Sequence, residues 1–416
     1  MDYAAVAKAD NAKDRERHRN TWLQKNVSFD GQMRLPAEYR AMVERMLETL
    51  TGDCHGHKAS QKLLDLDVLL ANLLATKGNH PISISLDHNR WQPNRYNHLS
   101  YFVVTMVKLL HQKGLIHMAK GYHTKKESRY TRIWRTEALL QCFPELPTYV
   151  IFDPTELVIL KDEKGHLMEY RDTAETYRIR KILKRANEVN LAADIRFGKY
   201  RLRGFLRAIF LHKFTLYGRL HTWGYRHYQG MPSEERQEIT INGEPVVELD
   251  FSGLHPRLLY AAEGIQFDSD PYAIVHKDPR ARPFLKTILL ALINAQDFNK
   301  AQAGANHWLY KEATEEQRFQ LHEIGITKAK PLMDAFIKAH APISKYFCTG
   351  EGLRLMNKDG KIALAVIKSF ADAGIPILAV HDSFVVQCQY RDRLETAMDE
   401  AYKRGTGGKK CGITMK

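Results

Sequence analysis

Two aspartates stand where the sequence predicts the ends of β-strands. In residues 244–251 (EPVVELDF), an apolar run opened by Pro245 leads to Asp250, and a Ser-Gly pair then breaks the strand before a helix. In residues 375–386 (IPILAVHDSFVV), two apolar runs flank Asp382, which predicts a hairpin tip. A lone carboxylate beside apolar strands is costly unless it is paired, hydrogen-bonded or metal-bound. We therefore expect Asp250 and Asp382 to meet across adjacent strands of one sheet.

A pair of aspartates suits phosphoryl transfer, in which charge develops on both the attacking and the leaving oxygen. Two Mg²⁺ ions about 3.5–4 Å apart neutralise that charge, and carboxylates that bridge the ions hold them in place. Taken alone, each aspartate is better explained as a turn or cap residue. The two together, in these two contexts, favour a metal-binding pair.

A third segment predicts a triphosphate site. Residues 280–290 (RARPFLKTILL) predict a helix with Pro283 in its first turn. Arg282 then lies at the N-terminal edge of the helix, Lys286 one turn on, and Asn294 two turns further. An Arg fork and a Lys point charge at a helix start can bind a triphosphate, and the helix dipole adds to the attraction. An ordinary surface helix is the alternative.

Two basic regions predict contact with a phosphate backbone. The first is the tip of a predicted hairpin, to which we assign Lys120, Lys125, Lys126, Arg129, Arg132 and Arg135. The second is residues 178–219, which are rich in Lys and Arg and include Arg201 and Arg203. We expect nucleic-acid contacts from Lys125, Lys126, Arg129, Arg132, Arg201 and Arg203. The alternative is a solvated hairpin tip and a solvated helix face.

The elements that must position these residues divide the chain into two domains. Apolar spacing predicts helices over about 35–50, 60–75 and 97–113, the last ended by Gly114. A predicted hairpin follows, and this helix-then-hairpin order resembles a winged-helix module. Prolines near residue 145 predict a boundary, giving a helical, winged-helix-like nucleic-acid-binding region over 1–150 and a catalytic core over 151–416. A zinc site at Cys54–His57 is a weaker alternative, because no second ligand pair lies near.

Composition is consistent with a polyanionic partner. The 416 residues have a net charge of +14, while their hydrophobic and charged fractions, 44% and 26%, are those of a globular protein. Five scattered cysteines predict a reducing compartment. The first residues lack the apolar core of a signal peptide, and no run has the 18 apolar residues of a membrane span. We expect a cytoplasmic, nucleoid-associated protein without a membrane partner.

Taken in order, these segments resemble the polymerase core of family A nucleic-acid polymerases, the DNA polymerase I-like and single-subunit phage-type RNA polymerases. LYGRLHTW resembles the family's Gly-Arg segment, LDFSGLHPR its motif A, the Arg-x-x-x-Lys spacing its motif B, and AVHDSF its motif C. The resemblance covers about half of the chain. It implies an α+β fold: a right-hand polymerase core with an antiparallel palm sheet and helical fingers and thumb, preceded by the helical region.

The resemblance also implies roles for individual residues. Asp250, Asp382 and Phe251 would hold two Mg²⁺ ions, with Mn²⁺ as a substitute. Arg282 and Lys286 would bind the incoming triphosphate, and Lys286 would donate a proton to the leaving pyrophosphate. Arg219 would contact the primer or nucleotide. The implied partners are a DNA template-primer and nucleoside triphosphates. RNA and replication accessory proteins are further candidate partners.

Departures from the family pattern leave the product open. His255 stands where DNA-making members have the Glu that rejects a 2′-hydroxyl, and Asn294-Ala295 replaces the Tyr-Gly of motif B. His381 and its neighbours, His-Asp-Ser-Phe, are closer to the RNA polymerases, as is the segment that begins at Asn357. We assign His255 and Asn294 to nucleotide binding, and Asn357 and His381 to nucleic-acid binding.

Three functions therefore remain open. The sequence favours a DNA-directed DNA polymerase without 3′→5′ proofreading, since no paired-carboxylate exonuclease signature is visible. A primase or single-subunit RNA polymerase that uses NTPs is the first alternative. A non-catalytic nucleic-acid-binding replication factor is the second.

Overall fold

The chain forms two compact units in a computed structural model that describes residues 22–52, 58–76, 79–123, 128–147, 150–222 and 227–416. The units are Met1–Glu156 and Leu157–Lys416, whereas the sequence predicts a boundary at residue 150. The weaker zinc alternative at Cys54–His57 and the predicted contacts Lys125 and Lys126 lie outside the described residues.

Three of the helices described in the N-terminal unit match predicted helices, whereas the fourth, at Glu137–Cys142, stands where the sequence predicts the end of the second hairpin strand. These helices are α1 (Arg40–Thr51), α2 (Ala59–Ala75), α3 (Phe102–Gln112) and α4 (Glu137–Cys142). The first and the third each begin about five residues later than predicted. Gly114 follows it with a φ of 70°, a left-handed conformation that glycine adopts without steric cost.

Short strands complete the N-terminal unit: β1 (Val27–Ser28), β2 (Met33–Arg34), β3 (Ile82–Ile84), β4 (Ile116–Ala119), β5 (Tyr122–His123), β6 (Ser128–Arg129), β7 (Thr131–Arg135) and β8 (Ile151–Phe152). The main sheet has the order β1-β3-β7-β4, and β4 pairs with β7 antiparallel. The predicted order of helix and hairpin is therefore confirmed. Apolar side chains of α1, α2, α3 and this sheet form one core.

Two arginines that we assigned to the hairpin tip lie elsewhere. Arg132 and Arg135 are in β7, and Arg132 is only 8% exposed. Arg135 donates hydrogen bonds from Nη1 to the carbonyl oxygens of Leu73 and Thr76, at the C-terminal end of α2. Since helix C-termini leave carbonyl groups unsatisfied and attract cations, Arg135 is a helix cap. The strand is longer than its polar sequence suggested, which moves both residues away from the tip.

The C-terminal unit contains two main sheets. Its strands are β9 (Val158–Lys161), β10 (Ile195–Phe197), β11 (Tyr200–Arg201), β12 (Leu206–Leu211), β13 (Lys213–Thr222), β14 (Ile239–Ile241), β15 (Glu244–Phe251), β16 (Leu378–Val380), β17 (Ser383–Gln387) and β18 (Ile413–Met415). The larger sheet is antiparallel, with the order β11-β10-β14-β15-β17-β16 and with β18 paired to β15. The smaller sheet has the order β13-β12-β9.

Helices pack around these sheets. They are α5 (Ala174–Ala192), α6 (Ser233–Arg236), α7 (Leu254–Ala262), α8 (Arg282–Asn294), α9 (Phe298–His307), α10 (Glu315–Glu323), α11 (Ala329–Ala339), α12 (Gly352–Asp372) and α13 (Arg391–Thr406). A large apolar core joins most of these helices to both sheets. The helix starts at Leu254 and Arg282 agree with the sequence predictions, and Pro283 is in the first turn of α8.

The long helix α12 crosses β13 with little space between the two backbones. A Cβ atom at Gly360 would lie closer than 3.0 Å to the carbonyl oxygen of Gly218, and one at Gly218 would overlap the amide of Asn357. Gly218 also has a φ of 73°. Two glycines are therefore required where this helix meets the smaller sheet.

The predicted mixed composition of helices and antiparallel sheet is confirmed, whereas the division into palm, fingers and thumb stays a prediction. No helix in the described part of the chain is long and apolar enough to cross a membrane. Cys142, Cys348, Cys388 and Cys411 are free thiols.

Candidate active site

The two predicted aspartates come together on neighbouring strands. Antiparallel pairing of β15 with β17 sets Asp250 opposite Ser383, the residue after Asp382. The N–H of Phe251 donates to the carbonyl oxygen of Asp382 at 3.4 Å. Because Val380 pairs with Ser383, the turn that carries Asp382 has only two residues. Strand register, rather than a flexible loop, therefore positions both aspartates.

The hairpin tip is strained. His381 has a φ of 59°, in the left-handed region that non-glycine residues rarely occupy. Strain of this kind persists only where the surroundings enforce it, and it is frequent at functional sites. The neighbouring Asp382 is half-buried. A short turn with a fixed backbone holds its carboxylate beside the end of β15.

Asp250 is in a negative and poorly hydrated environment. Burial, and then the nearby charge of Asp382, raise the pKa of Asp250 to about 6. Its Oδ2 lies 3.1 Å from the Nζ of Lys416, while its buried Oδ1 has no hydrogen-bond partner in the part of the chain that the structure describes. A buried, unsatisfied carboxylate oxygen beside a second carboxylate is a suitable ligand for a cation.

Glu248 lies on the same face of β15 as Asp250, two residues earlier. It is 2% exposed and forms a buried bidentate ion pair with Arg236, with both N–O distances 2.8 Å. The hydroxyl of Ser383 donates to its Oε1 at 2.6 Å. Burial alone would raise the pKa of Glu248, but these hydrogen bonds lower it. Glu248 is thus charged and already paired, so it supports the strand ends rather than offering a free carboxylate.

The residues at this site fit a pair of Mg²⁺ or Mn²⁺ ions. Asp250 and Asp382 supply hard oxygen ligands, and Phe251, whose side chain is in the core, has only its main-chain carbonyl to offer. Among the described residues, no group of three or more His, Cys, Asp or Glu side chains is arranged to hold a metal. Mg²⁺ sites commonly use one or two carboxylates together with water and substrate phosphates. Two carboxylates are therefore sufficient here.

A buried network lies beside the aspartates. Arg219 on β13 donates from Nε and Nη2 to Oδ2 of Asp359, at 3.0 and 2.6 Å, and His255 Nε2 lies 3.0 Å from the same oxygen. Asp359 is 2% exposed. Two of the predicted nucleotide-binding residues, Arg219 and His255, are thus fixed by one carboxylate of α12.

The predicted triphosphate residues lie along one side of α8. Arg282 pairs with Asp270 at 2.5 Å and its guanidinium lies 4.9 Å from the ring centre of Tyr272. Lys286 is exposed one turn on, and Asn294 is exposed at the end of the helix. The sequence therefore placed these three residues correctly on the helix, and their role in nucleotide binding stays a prediction.

The remaining predicted nucleic-acid contacts that the structure describes are Asn357, Arg201 and Arg203 in the C-terminal unit and Arg129 in the N-terminal unit. The amide of Asn357 is 5% exposed and donates to the carbonyl oxygen of Phe214, which indicates a structural role. Arg201 donates to the carbonyl oxygens of Leu191 and Ala193 at the end of α5, while Arg203 follows β11. Arg129 in β6 lies over the ring of Tyr122.

His381 has an unpredicted aromatic neighbour in the smaller sheet. Its ring stacks edge-on against His221 at 5.8 Å, and the hydroxyl of Tyr217 lies 3.0 Å from His221 Nε2. Burial, and then the charges of His381 and Arg207, lower the pKa of His221 to about 4. His221 is therefore neutral near pH 7, and aromatic surface borders the hairpin tip.

Comparisons with known proteins give little further information. The sequence matches no protein-family model and no curated protein. The structure is similar to the POL domain of Pol1 from M. smegmatis, solved in complex with DNA primer-template and dNTP, at 12% identity and a TM-score of 0.31. That match covers 96% of this chain and 68% of the other. A TM-score of 0.31 is too low to establish a shared fold.

Sequence reasoning missed several residues of this site. Glu248 could have been found, because strand alternation places it on the same face as Asp250. Asp270 and Tyr272, the partners of Arg282, follow no recognisable spacing. Asp359 lies in the segment that begins at Asn357, but no local signal assigns it to the site, and none points to Lys416. Asp359 and Lys416 come from parts of the chain that are distant from Asp250 in sequence.

Proposed function

We propose that this chain is a template-directed nucleotidyltransferase, most simply a DNA-directed DNA polymerase without proofreading. One observation supports it above the others: Asp250 and Asp382, 132 positions apart in the sequence, meet at the ends of two paired strands. When bound, two divalent ions would supply electrostatic stabilisation of the attacking and leaving oxygens. The substrates would be a primer-template and a nucleoside triphosphate.

In this proposal the protein residues position charge and protons. Asp250 and Asp382 hold the ions, with the carbonyl of Phe251 as a further ligand. Arg282 and Lys286 bind the triphosphate from the first turns of α8, and Lys286 gives a proton to the departing pyrophosphate. Arg219 stays oriented toward the substrates because Asp359 binds its guanidinium.

Primer extension with Mg²⁺ tests the proposal. Asp250→Asn and Asp382→Asn should each lower the extension rate by at least about 10³-fold, because transition-state charge is no longer neutralised. DNA binding should change little. Asp334→Asn is a matched control, since Asp334 is exposed and pairs with Lys330 on the surface of α11. Extension at the wild-type rate by either site variant would refute the assignment.

A second function, RNA synthesis by a primase or RNA polymerase, is favoured by His255. This residue replaces the Glu expected in DNA-making members, and its ring is bound to Asp359 rather than free to exclude a 2′-hydroxyl. Assays with dNTPs and with NTPs, on primed and on unprimed template, separate the two. DNA binding without any incorporation would instead indicate a non-catalytic replication factor.

A further inference from the structure

Lys416 places a cation at the candidate metal site. Its Nζ lies 3.1 Å from Oδ2 of Asp250 and 3.5 Å from Oε1 of Glu248. The side chain of Lys416 is 34% exposed and that of Asp250 is 22% exposed. The contact is thus partly shielded from water, and a charge there acts more strongly than on an open surface.

The backbone holds Lys416 in this position. Strand β18 pairs with β15 so that Thr414 is opposite Asp250, and the N–H of Lys416 donates to the carbonyl oxygen of Glu248 at 3.1 Å. The preceding residues are also fixed, because Ser252 donates its N–H to the carbonyl oxygen of Gly412 at 2.8 Å. The backbone pairing of β18 therefore positions the ammonium group of Lys416 at the site.

The other partners of Glu248 and Asp250 show which of the two carboxylates Lys416 mainly neutralises. Glu248 already has Arg236 on both oxygens and the hydroxyl of Ser383 on one of them. Among the described residues, neither an arginine nor a hydroxyl binds the oxygens of Asp250, and its Oδ1 has no partner. The charge of Lys416 is thus directed mainly to Asp250, at an oxygen that a divalent ion would also use.

We propose that Lys416 is a built-in counter-ion that competes with divalent metal for Asp250 and so sets the metal concentration that the site requires. The inference rests on the proposed function, because it takes Asp250 as a metal ligand. In the metal-free protein, the ammonium keeps Asp250 oriented. Metal binding requires the ammonium to move from Oδ2, which weakens the observed affinity.

Metal binding by the free protein, without DNA or nucleotide, tests this. Mn²⁺ affinity can be measured from the electron paramagnetic resonance signal of the unbound ion. Lys416→Gln should bind Mn²⁺ about fivefold more tightly than wild type, the effect of removing one partly shielded ion pair. Lys416→Arg, which keeps the charge, should stay close to wild type.

Lys410→Gln is the matched control, because it removes the same charge from an exposed side chain six residues earlier. Equal affinities for Lys416→Gln and Lys410→Gln, or weaker binding by Lys416→Gln with native circular dichroism, would overturn the inference. Asp250→Asn distinguishes the two proposals. If it leaves Mn²⁺ binding unchanged, or if no variant binds Mn²⁺ at millimolar concentration, the proposed metal site itself is wrong.

Discussion

Asp359 binds two partners through a single carboxylate oxygen, and its other oxygen is buried without a hydrogen bond. Such a residue is costly to bury and is more costly to remove, because removal leaves the guanidinium of Arg219 without its counter-charge. The same oxygen orients His255. One residue of α12 thus links two side chains that we assign to nucleotide binding.

Asp359→Ala should therefore lower the free energy of unfolding by about 3–5 kcal/mol, the usual cost of removing one partner of a buried ion pair. Asp359→Asn keeps the shape of the side chain and should lower the free energy of unfolding by a smaller amount. Urea unfolding followed by circular dichroism measures both. Asp372→Ala is the control, because its exposed pair with Lys368 on the same helix should contribute less than about 1 kcal/mol. An Asp359→Ala loss as small as that of the control would contradict the prediction.

The sequence predicted the two aspartates because local pattern specifies both positions. A strand that runs into a turn and a hairpin with a two-residue tip are short-range features. Short-range features cannot predict Lys416 or Asp359 at the site. Lys416 is there because β18 pairs with β15, and Asp359 is there because α12 crosses β13. Arg132 and Arg135 show the converse error: polar side chains predicted a tip where the strand continues.

At the scale of elements, the crossing of α12 over β13 determines where Asp359 lies. The two backbones approach closely because Gly360 faces Gly218. Asp359 is the residue before Gly360, and Arg219 is the residue after Gly218. The contact of the glycines therefore brings the aspartate to its arginine.

Gly360→Ala should separate these elements. Its Cβ would meet the backbone of Gly218, which cannot move aside as a flexible side chain can. We expect a net loss of about 1–3 kcal/mol in the free energy of unfolding, despite the higher helix propensity of alanine. Gly304→Ala in α9 is the matched control: its Cβ would meet nothing within 4 Å, so a gain of about 0.5–1 kcal/mol is expected. Equal changes in the free energy of unfolding for Gly360→Ala and Gly304→Ala would show that α12 and β13 are not closely packed at Gly360.

The type of each helix or strand was easier to predict from the sequence than the contacts between these elements. The helices at Leu254 and Arg282 have strong local signals, a glycine before the first and a proline in the first turn of the second. The pairing of β15 with β17 has no such signal, because it joins residues more than 130 positions apart in the sequence. Long-range pairing of this kind depends on the packing of the whole sheet.

At the scale of the whole molecule, the net charge of +14 makes a prediction that does not depend on catalysis. Each phosphate that a Lys or Arg contacts releases condensed counterions, so affinity for DNA should fall linearly with salt concentration on logarithmic axes. About six contacted phosphates would reduce the affinity by about 10³-fold between 50 and 200 mM salt. Fluorescence anisotropy of a labelled primer-template measures this slope. Asp250→Asn should give the same slope, because a ligand of metal ions does not contact the backbone directly. An affinity that does not change with salt concentration would mean that the excess basic residues do not contact the phosphates of a nucleic acid.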